Sequence, residues 1–297
     1  MPNLKEVRNR ISSVQSTQQI TKAMKMVAAA KLRKAQDRTI QMRPYAAKLS
    51  RLLANVMSAT DGNASSEFAE VRPVENVLIV VVTSDRGLCG GFNANIAKAA
   101  LALIEEKYAQ QHQKGNVTLM CVGKKGYDFF RRRDYNVNDT YVELFLSLNF
   151  RDARKAAEYA MDGFLNREFD AVDIVYNEFK NVATQIIRKE AFLPLSEDRF
   201  ASEDSGSSIE LDYIFEPNEA EIVADLLPKT LKIQFYRALL ESNASEQGAR
   251  MTAMDKATEN AGELLKELKL VYNRSRQAAI TNEILEIVGG AEALAQG

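Results

Sequence analysis

The first 61 residues contain no glycine, and after Pro2 their only proline is Pro44. A stretch that long without a breaker has few options other than helix. Leu4, Val7, Ile11 and Val14 step by three, four and three residues, the spacing that keeps apolar groups on one helical face and marks a supercoiled seam. The apolar stripe then slips by about two residues and resumes as Ile20, Met24 and Val27. At about 1.5 Å per residue, a helix over residues 3–57 would be roughly 80 Å long, far beyond the usual three or four turns. Pro44 is expected to kink it, because proline removes a backbone donor and crowds the preceding turn.

The other end of the chain is similar. No proline follows Pro228, which the sequence places in the first turn of a helix. From there Leu231, Phe235, Leu239, Met251, Met254, Ala257, Ala261, Leu264, Leu268 and Val271 keep a helical rhythm to about Val288. Gly248 and Gly262 interrupt it, each at roughly 1 kcal/mol against alanine, which points to close approach of another backbone there. Unpaired, two such helices would be hard to stabilise in water. Packed antiparallel, one from each end, they form a coiled coil.

The centre changes period. Asn76–Thr83, Val117–Val122 and Ala171–Phe179 read as buried strands by length and β-branching, and residues 184–191 as an added edge strand. Residues 92–110, 124–133 and 150–166 read as helices. Alternating strands and helices imply a small parallel, Rossmann-like α/β sheet with right-handed crossovers. The fold expected is therefore α/β with long helices: a coiled-coil helix over 1–60, a central α/β domain over 74–216 and a second coiled-coil helix over 217–297. The polar stretches 58–73 and 196–217 are the natural connectors.

Charge is segregated. Residues 1–51 hold twelve Lys/Arg against Glu6 and Asp37, a balance of +10, so the rest carries −11 to reach the net −1. Residues 196–225 hold ten acids against Arg199 alone. Such asymmetry points to different partners for different stretches. A nucleic-acid arm would want stacking aromatics beside its cations. Tyr45 is the only aromatic in the first 67 residues, so an acidic protein surface fits the basic helix better than nucleic acid does.

The tempting chemical feature is Ser84-Asp85-Arg86-Gly87-Leu88-Cys89-Gly90-Gly91-Phe92-Asn93, a glycine-rich turn from strand to helix. Its glycines do not make the dinucleotide pattern, and no phosphate-loop motif exists anywhere. It reads as a tight turn, with a nucleotide-binding enzyme as the rival. Cys89 would sit at a helix N-terminus, where a thiolate is favoured, but the single histidine, His112, is distant in sequence. Cys121 falls within an apolar strand. Two cysteines and one histidine argue against a disulfide framework and against any two-histidine metal site. No catalytic, cofactor or metal site is expected. The longest aliphatic run, Val77–Val82, is far short of the roughly 20 residues that cross a bilayer, and the N-terminus lacks the apolar core of a signal peptide.

Three stretches, in order along nearly the whole chain, resemble the gamma-subunit family of F-type ATP synthases. The first is Lys5–Val7 with Ile11, Ser13-Val14-Gln15, Thr17-Gln18 and Ile20 through Lys31. The second is Asp85-Arg86-Gly87-Leu88-Cys89-Gly90-Gly91. The third is Ile280 through Ala291, helped by Ser245-Glu246-Gln247 and Ala249-Arg250-Met251. The resemblance implies a non-catalytic rotor of the bacterial type. Its coiled coil would stand inside a ring of three alpha and three beta subunits, while its foot, with epsilon, rests on the membrane-embedded c-ring. Ion flow, of protons or sodium, would turn it, and beta would carry the nucleotide chemistry. Met24, Lys25, Arg250, Gln277, Thr281 and Glu283 match positions that meet the alpha/beta ring, and Ile284–Ala295 an apolar tip. Arg43, Tyr45 and Tyr213 fall in segments near the c-ring and epsilon. The implied location is peripheral, on the cytoplasmic side of a bacterial inner membrane, held there only through the c-ring. The cysteine-pair insertion of the chloroplast form is missing.

Overall fold

The computed structural model describes residues 4–59, 67–195 and 219–295. Tyr213 and most of the acidic connector lie outside them. The chain divides into two compact units, one of residues 1–28 with 251–297 and one of residues 29–250.

The long helices form as the sequence dictates. Helix α1 runs Leu4–Ala59 and helix α6 runs Glu219–Ala295. Two details differ from expectation. Helix α6 begins nine residues before Pro228, so that proline lies inside it rather than in its first turn. Pro44 likewise lies inside α1. The residues four before these prolines, Ala224 and Ile40, are exposed, so the carbonyls left without an N–H donor can turn to water.

The second difference is the seam. No slip occurs in α1. Its inward positions are Leu4, Val7, Ile11, Val14, Gln18, Thr21, Lys25 and Ala28, an unbroken alternation of threes and fours, while Ile20 and Val27 are exposed. Leu32, Ala35, Thr39, Met42, Ala46, Leu49 and Leu53 continue the same alternation. On α6 the inward positions are Met254, Thr258, Ala261, Leu265, Leu268, Tyr272 and Ser275. Ala257 and Leu264 are only half-buried beside this stripe, and Val271 is exposed.

In the first unit the two helices run antiparallel. Arg8 bonds Tyr272, Gln18 bonds the carbonyl of Thr258, Thr258 bonds Thr21 through their hydroxyls, and Lys25 pairs with Asp255. Each rise along α1 is matched by a fall along α6. Gly262 lacks a side chain because the Gln18 amide lies 2.9 Å from where a Cβ would stand, so a side chain, not a backbone, comes close there.

The second unit contains the sheet, in the order β3-β2-β1-β4-β5. Strands β1 (Val77–Val82), β2 (Val117–Val122), β3 (Asn136–Asn138) and β4 (Ala171–Phe179) are parallel, and β5 (Gln185–Leu193) is antiparallel to β4. The sheet is thus mixed, because a five-residue connection after β4 can only return the chain as a hairpin. Strand β3 carries too few apolar residues to signal itself. Central β1 is buried along its whole length. Its Val77, Ile79 and Val81 pack with α2 (Phe92–Lys107), whereas Leu78, Val80 and Val82 pack with α5 (Phe150–Leu165), with Leu53 of α1 and with Leu227, Leu231, Phe235 and Leu239 of α6. Helices on both faces explain why β1 is aliphatic throughout rather than alternating. The short α3 (Ala109–Gln113) follows α2, and α4 (Lys124–Arg131) follows β2.

Candidate functional site

In an open α/β sheet, ligands bind at the strand C-termini where the chain order reverses. Here that point lies between β1 and β4, beside the glycine turn. A helix occupies it. Ser245 of α6 donates to the carbonyl of Asn177. A Cβ on Gly248 would lie 3.3 Å from the Phe179 ring and within 4 Å of the Val182 backbone. Arg250 donates to the carbonyls of Gly87 and Arg86. Residues 245–250 of α6 therefore fill the crevice that a nucleotide would enter.

After the neighbouring strand, the first amides of α4 are committed too. At the start of α4, Lys124 N–H goes to the Asp85 carboxylate, Lys125 N–H to the Ser84 carbonyl and Gly126 N–H to the Thr83 hydroxyl. Burial holds the Asp85 carboxyl above its ordinary range, partly opposed by the bond from Lys124. Strands β1 and β2 approach so closely here that Gly123, at φ +106°, leaves only 2.2 Å between a built Cβ and the Thr83 carbonyl oxygen. Only glycine fits.

Within the turn, Asn93 accepts from the Ser84 N–H at 2.9 Å, and its amide lies 3.2 Å from the Cys89 sulfur. Cys89 is buried against Ser84 and Asn93, with no histidine beside it; His112 stacks on Tyr135 instead. Cys121 is buried in β2, where burial pushes its thiol up to about 12. Neither sulfur has the setting of a nucleophile. Among the described residues, no group of three His, Cys, Asp or Glu is placed to hold a metal ion.

The remaining candidates are surface features. Met24 is half-buried beside the α1 seam and Lys25 half-buried on it, with the Lys25 ammonium 2.6 Å from Asp255. Gln277, Thr281 and Glu283 are exposed on α6. They lie beyond the register partner of Leu4, and every residue from Ile280 to Ala291 is exposed. That overhang carries Ile280, Ile284, Leu285, Ile287 and Val288 in the open. On α1, Arg43 and Tyr45 are exposed. Arg250 is the exception, because its side chain is nine-tenths buried against Glu246. Its partner Glu246, four residues earlier, went unassigned in the sequence; the Glu-x-x-x-Arg spacing of a helical ion pair was the available signal. Elsewhere, Asp170 receives the N–H groups of Glu75 and Asn76 and the Arg72 guanidinium, and Asp173, buried in β4, receives the Tyr108 hydroxyl and Lys107. Both are framework contacts.

The family model for ATP synthase matches residues 3–294. The ATP synthase gamma chain of Cytophaga hutchinsonii is 62% identical over 294 residues, covering 99% of each chain. Among solved structures, the central stalk and c-ring of the Tetrahymena thermophila mitochondrial ATP synthase contains a chain 26% identical, with a TM-score of 0.55, covering 80% of this chain and 99% of that one. A chain of the Euglena gracilis mitochondrial ATP synthase shares the fold with a TM-score of 0.63 at 23% identity, covering 98% of this chain and 94% of that one. Among the described residues, no helix is long and apolar enough to cross a membrane.

Proposed function

The chain belongs to the ATP synthase gamma-chain family, and from that premise we propose that it is the central-stalk rotor, coupling ion-driven rotation of a c-ring to conformational change at catalytic beta subunits. The observation that carries this reading is the overhang of α6. Beyond its register with α1 the helix stays exposed from Ile280 to Ala291, with Ile280, Ile284 and Ile287 at helical spacing. An apolar face of that size is unfavourable in water. It suits enclosure by a ring, and apolar contacts, being non-directional, resist turning less than directed bonds would.

In this reading the chain carries no catalytic site of its own, and the nucleotide chemistry belongs to beta. Residues 1–60 and 217–297 serve as the shaft, and 74–216 as the foot. Met24, Lys25, Gln277, Thr281 and Glu283 work toward the alpha/beta ring, with the basic face of α1 meeting complementary acidic loops, whereas the Arg250 guanidinium is engaged within the chain by Glu246 and the carbonyls of Arg86 and Gly87. Arg43, Tyr45 and Tyr213 work toward the c-ring and epsilon. The protein is held at the cytoplasmic side of a bacterial inner membrane through the c-ring. The occupied crevice between β1 and β4 disfavours the rival nucleotide-binding enzyme.

The test is reconstitution of the full chain with alpha and beta subunits. A stable complex of one copy per six ring subunits with ATPase activity is expected. Failure to assemble, or a stoichiometric micromolar ATP site on the chain alone, would overturn the reading.

A further inference from the structure

The turn from β1 to α2 is braced twice. From within, Asn93 holds Ser84 and Cys89. From outside, Arg250 of α6 takes the carbonyls of Arg86 and Gly87, residues more than 160 positions away in the chain. Arg250 in turn is held by Glu246, one helical turn back, and both side chains are about nine-tenths buried. Lys31 on α1 and Asp85 in the turn are the other charges facing that carboxylate.

An ion pair at i,i+4 on one helix does not need burial, and burying two charges is costly unless their bonds are used well. Here they are. A guanidinium presents a rigid planar fork of donors, and this one spends them on three acceptors at once. The acceptors on the turn are main-chain carbonyls, so the bond fixes backbone position rather than side-chain identity. What it fixes is unusual backbone. Leu88 has φ 64° and Gly90 φ 60°, and Leu88 stands with its side chain largely in the open. A leucine held in the left-handed region and exposed gains nothing from its own contacts. The surroundings impose that conformation.

We propose that Arg250, oriented by Glu246, is a positioning residue that splints the crest Arg86–Leu88 to helix α6, so that turn and helix carry load as one piece. Glu246 is the second positioning residue of this device. The mechanical consequence rests on the rotor reading; the splint itself does not.

Two variants test it in the full chain. Arg250→Lys keeps the charge but cannot fork across both carbonyls and the carboxylate. Glu246→Gln keeps the shape but loses the charge that orients the guanidinium. Hydrogen exchange should be about tenfold faster in both at the amides of Ser84 and Phe92, which bond Asn93 and the Cys89 carbonyl across the turn, with those of Val77–Val82 unchanged. In complexes with alpha, beta, epsilon and the membrane sector, ions pumped per ATP should fall by at least half while assembly and ATP turnover persist. Unchanged exchange at the turn would overturn the splint. Faster exchange with unchanged pumping per ATP would overturn its mechanical role. Failure of the unsubstituted chain to assemble would strike the rotor reading instead, leaving the exchange measurement to judge the splint alone.

Discussion

Lys25→Glu separates a contact made within the chain from one made with a partner. The Lys25 ammonium lies 2.6 Å from Asp255, but the two side chains are 39% and 58% exposed. In that setting an ion pair contributes about 0.2–1 kcal/mol. Reversing one charge replaces this attraction by a repulsion of similar size, about 1 kcal/mol at 4 Å in water. The total loss, about 1–2 kcal/mol, is small against the roughly 5–15 kcal/mol that holds a domain folded. The variant should therefore fold and assemble. If Lys25 meets acidic loops of a surrounding ring, however, the variant places a like charge against them, and ions pumped per ATP should fall severalfold. The double exchange Lys25→Glu with Asp255→Lys restores the internal pair in reverse. It should recover the melting temperature but not the pumping. Full recovery of pumping in the double variant would show that the internal pair alone mattered, and unchanged pumping in the single variant would remove Lys25 from the torque path.

Other outcomes follow from single positions. Gly123→Ala sets a Cβ 2.2 Å from the Thr83 carbonyl oxygen at φ +106°; steric overlap and strain at about 1–3 kcal/mol each should lower the urea midpoint substantially, and a change below about 1 kcal/mol would contradict the close approach. Cys89→Ser should leave ATPase activity of the assembled complex nearly intact, since the polar neighbours of that sulfur are Ser84, Asn93 and the Arg86 carbonyl; a large loss in a well-folded variant would revive a chemical role. Burial alone would raise the Asp170 carboxyl, but the N–H groups of Asn76 and Glu75 and the Arg72 guanidinium outweigh it and hold it below its ordinary value. A depressed folded pKa stabilises above the unfolded value, about 3.9, and that share is lost as pH falls through the folded one. The stability deficit of Asp170→Asn in urea melts should accordingly be full near pH 7 and shrink below about pH 4. Removing residues 284–297 should leave the thermal melt within about two degrees, because residues 284–291 are exposed; a larger drop would mean that the overhang packs within the chain.

The long helices and the buried strands were legible because length, breakers and β-branching are local signals. Helix α1 declared itself by the absence of glycine, and β1 by six aliphatic residues. Between residues 14 and 28 the buried seam departs from the apolar stripe for a physical reason. A hydrophobic stripe marks the buried face only when the buried face is the apolar one. Here Gln18, Thr21 and Lys25 face inward to Thr258 and Asp255, and the apolar Ile20 and Val27 face out. Periodicity alone, continued as threes and fours from Leu4, would have found the register; hydrophobicity led away from it. Strand β3, Asn-Val-Asn, is too short and polar to show a period. The Arg250 contacts were illegible because main-chain carbonyls carry no sequence signature.

That departure of the seam from the apolar stripe bears on the function. Two helices paired for their own stability would hide their largest apolar side chains and expose the polar ones. In this pair Ile20, Met26 and Val27 are each more than half exposed, while Thr21 and Ala28 are buried. Full burial of an isoleucine, valine or methionine side chain is worth about 1.5–3 kcal/mol, so the arrangement forgoes several kcal/mol in the isolated chain. On the other helix Ile284, Leu285 and Ile287 are likewise more than half exposed. Between Gln18 and Ala28 the seam is made of small and polar residues, which lets the two backbones lie together with directed bonds fixing their register and leaves apolar surface pointing outward. Such an inversion is unfavourable for a free coiled coil and favourable for one enclosed by other subunits. A central-stalk rotor inside a ring meets that condition, whereas a soluble enzyme with helical arms does not require it.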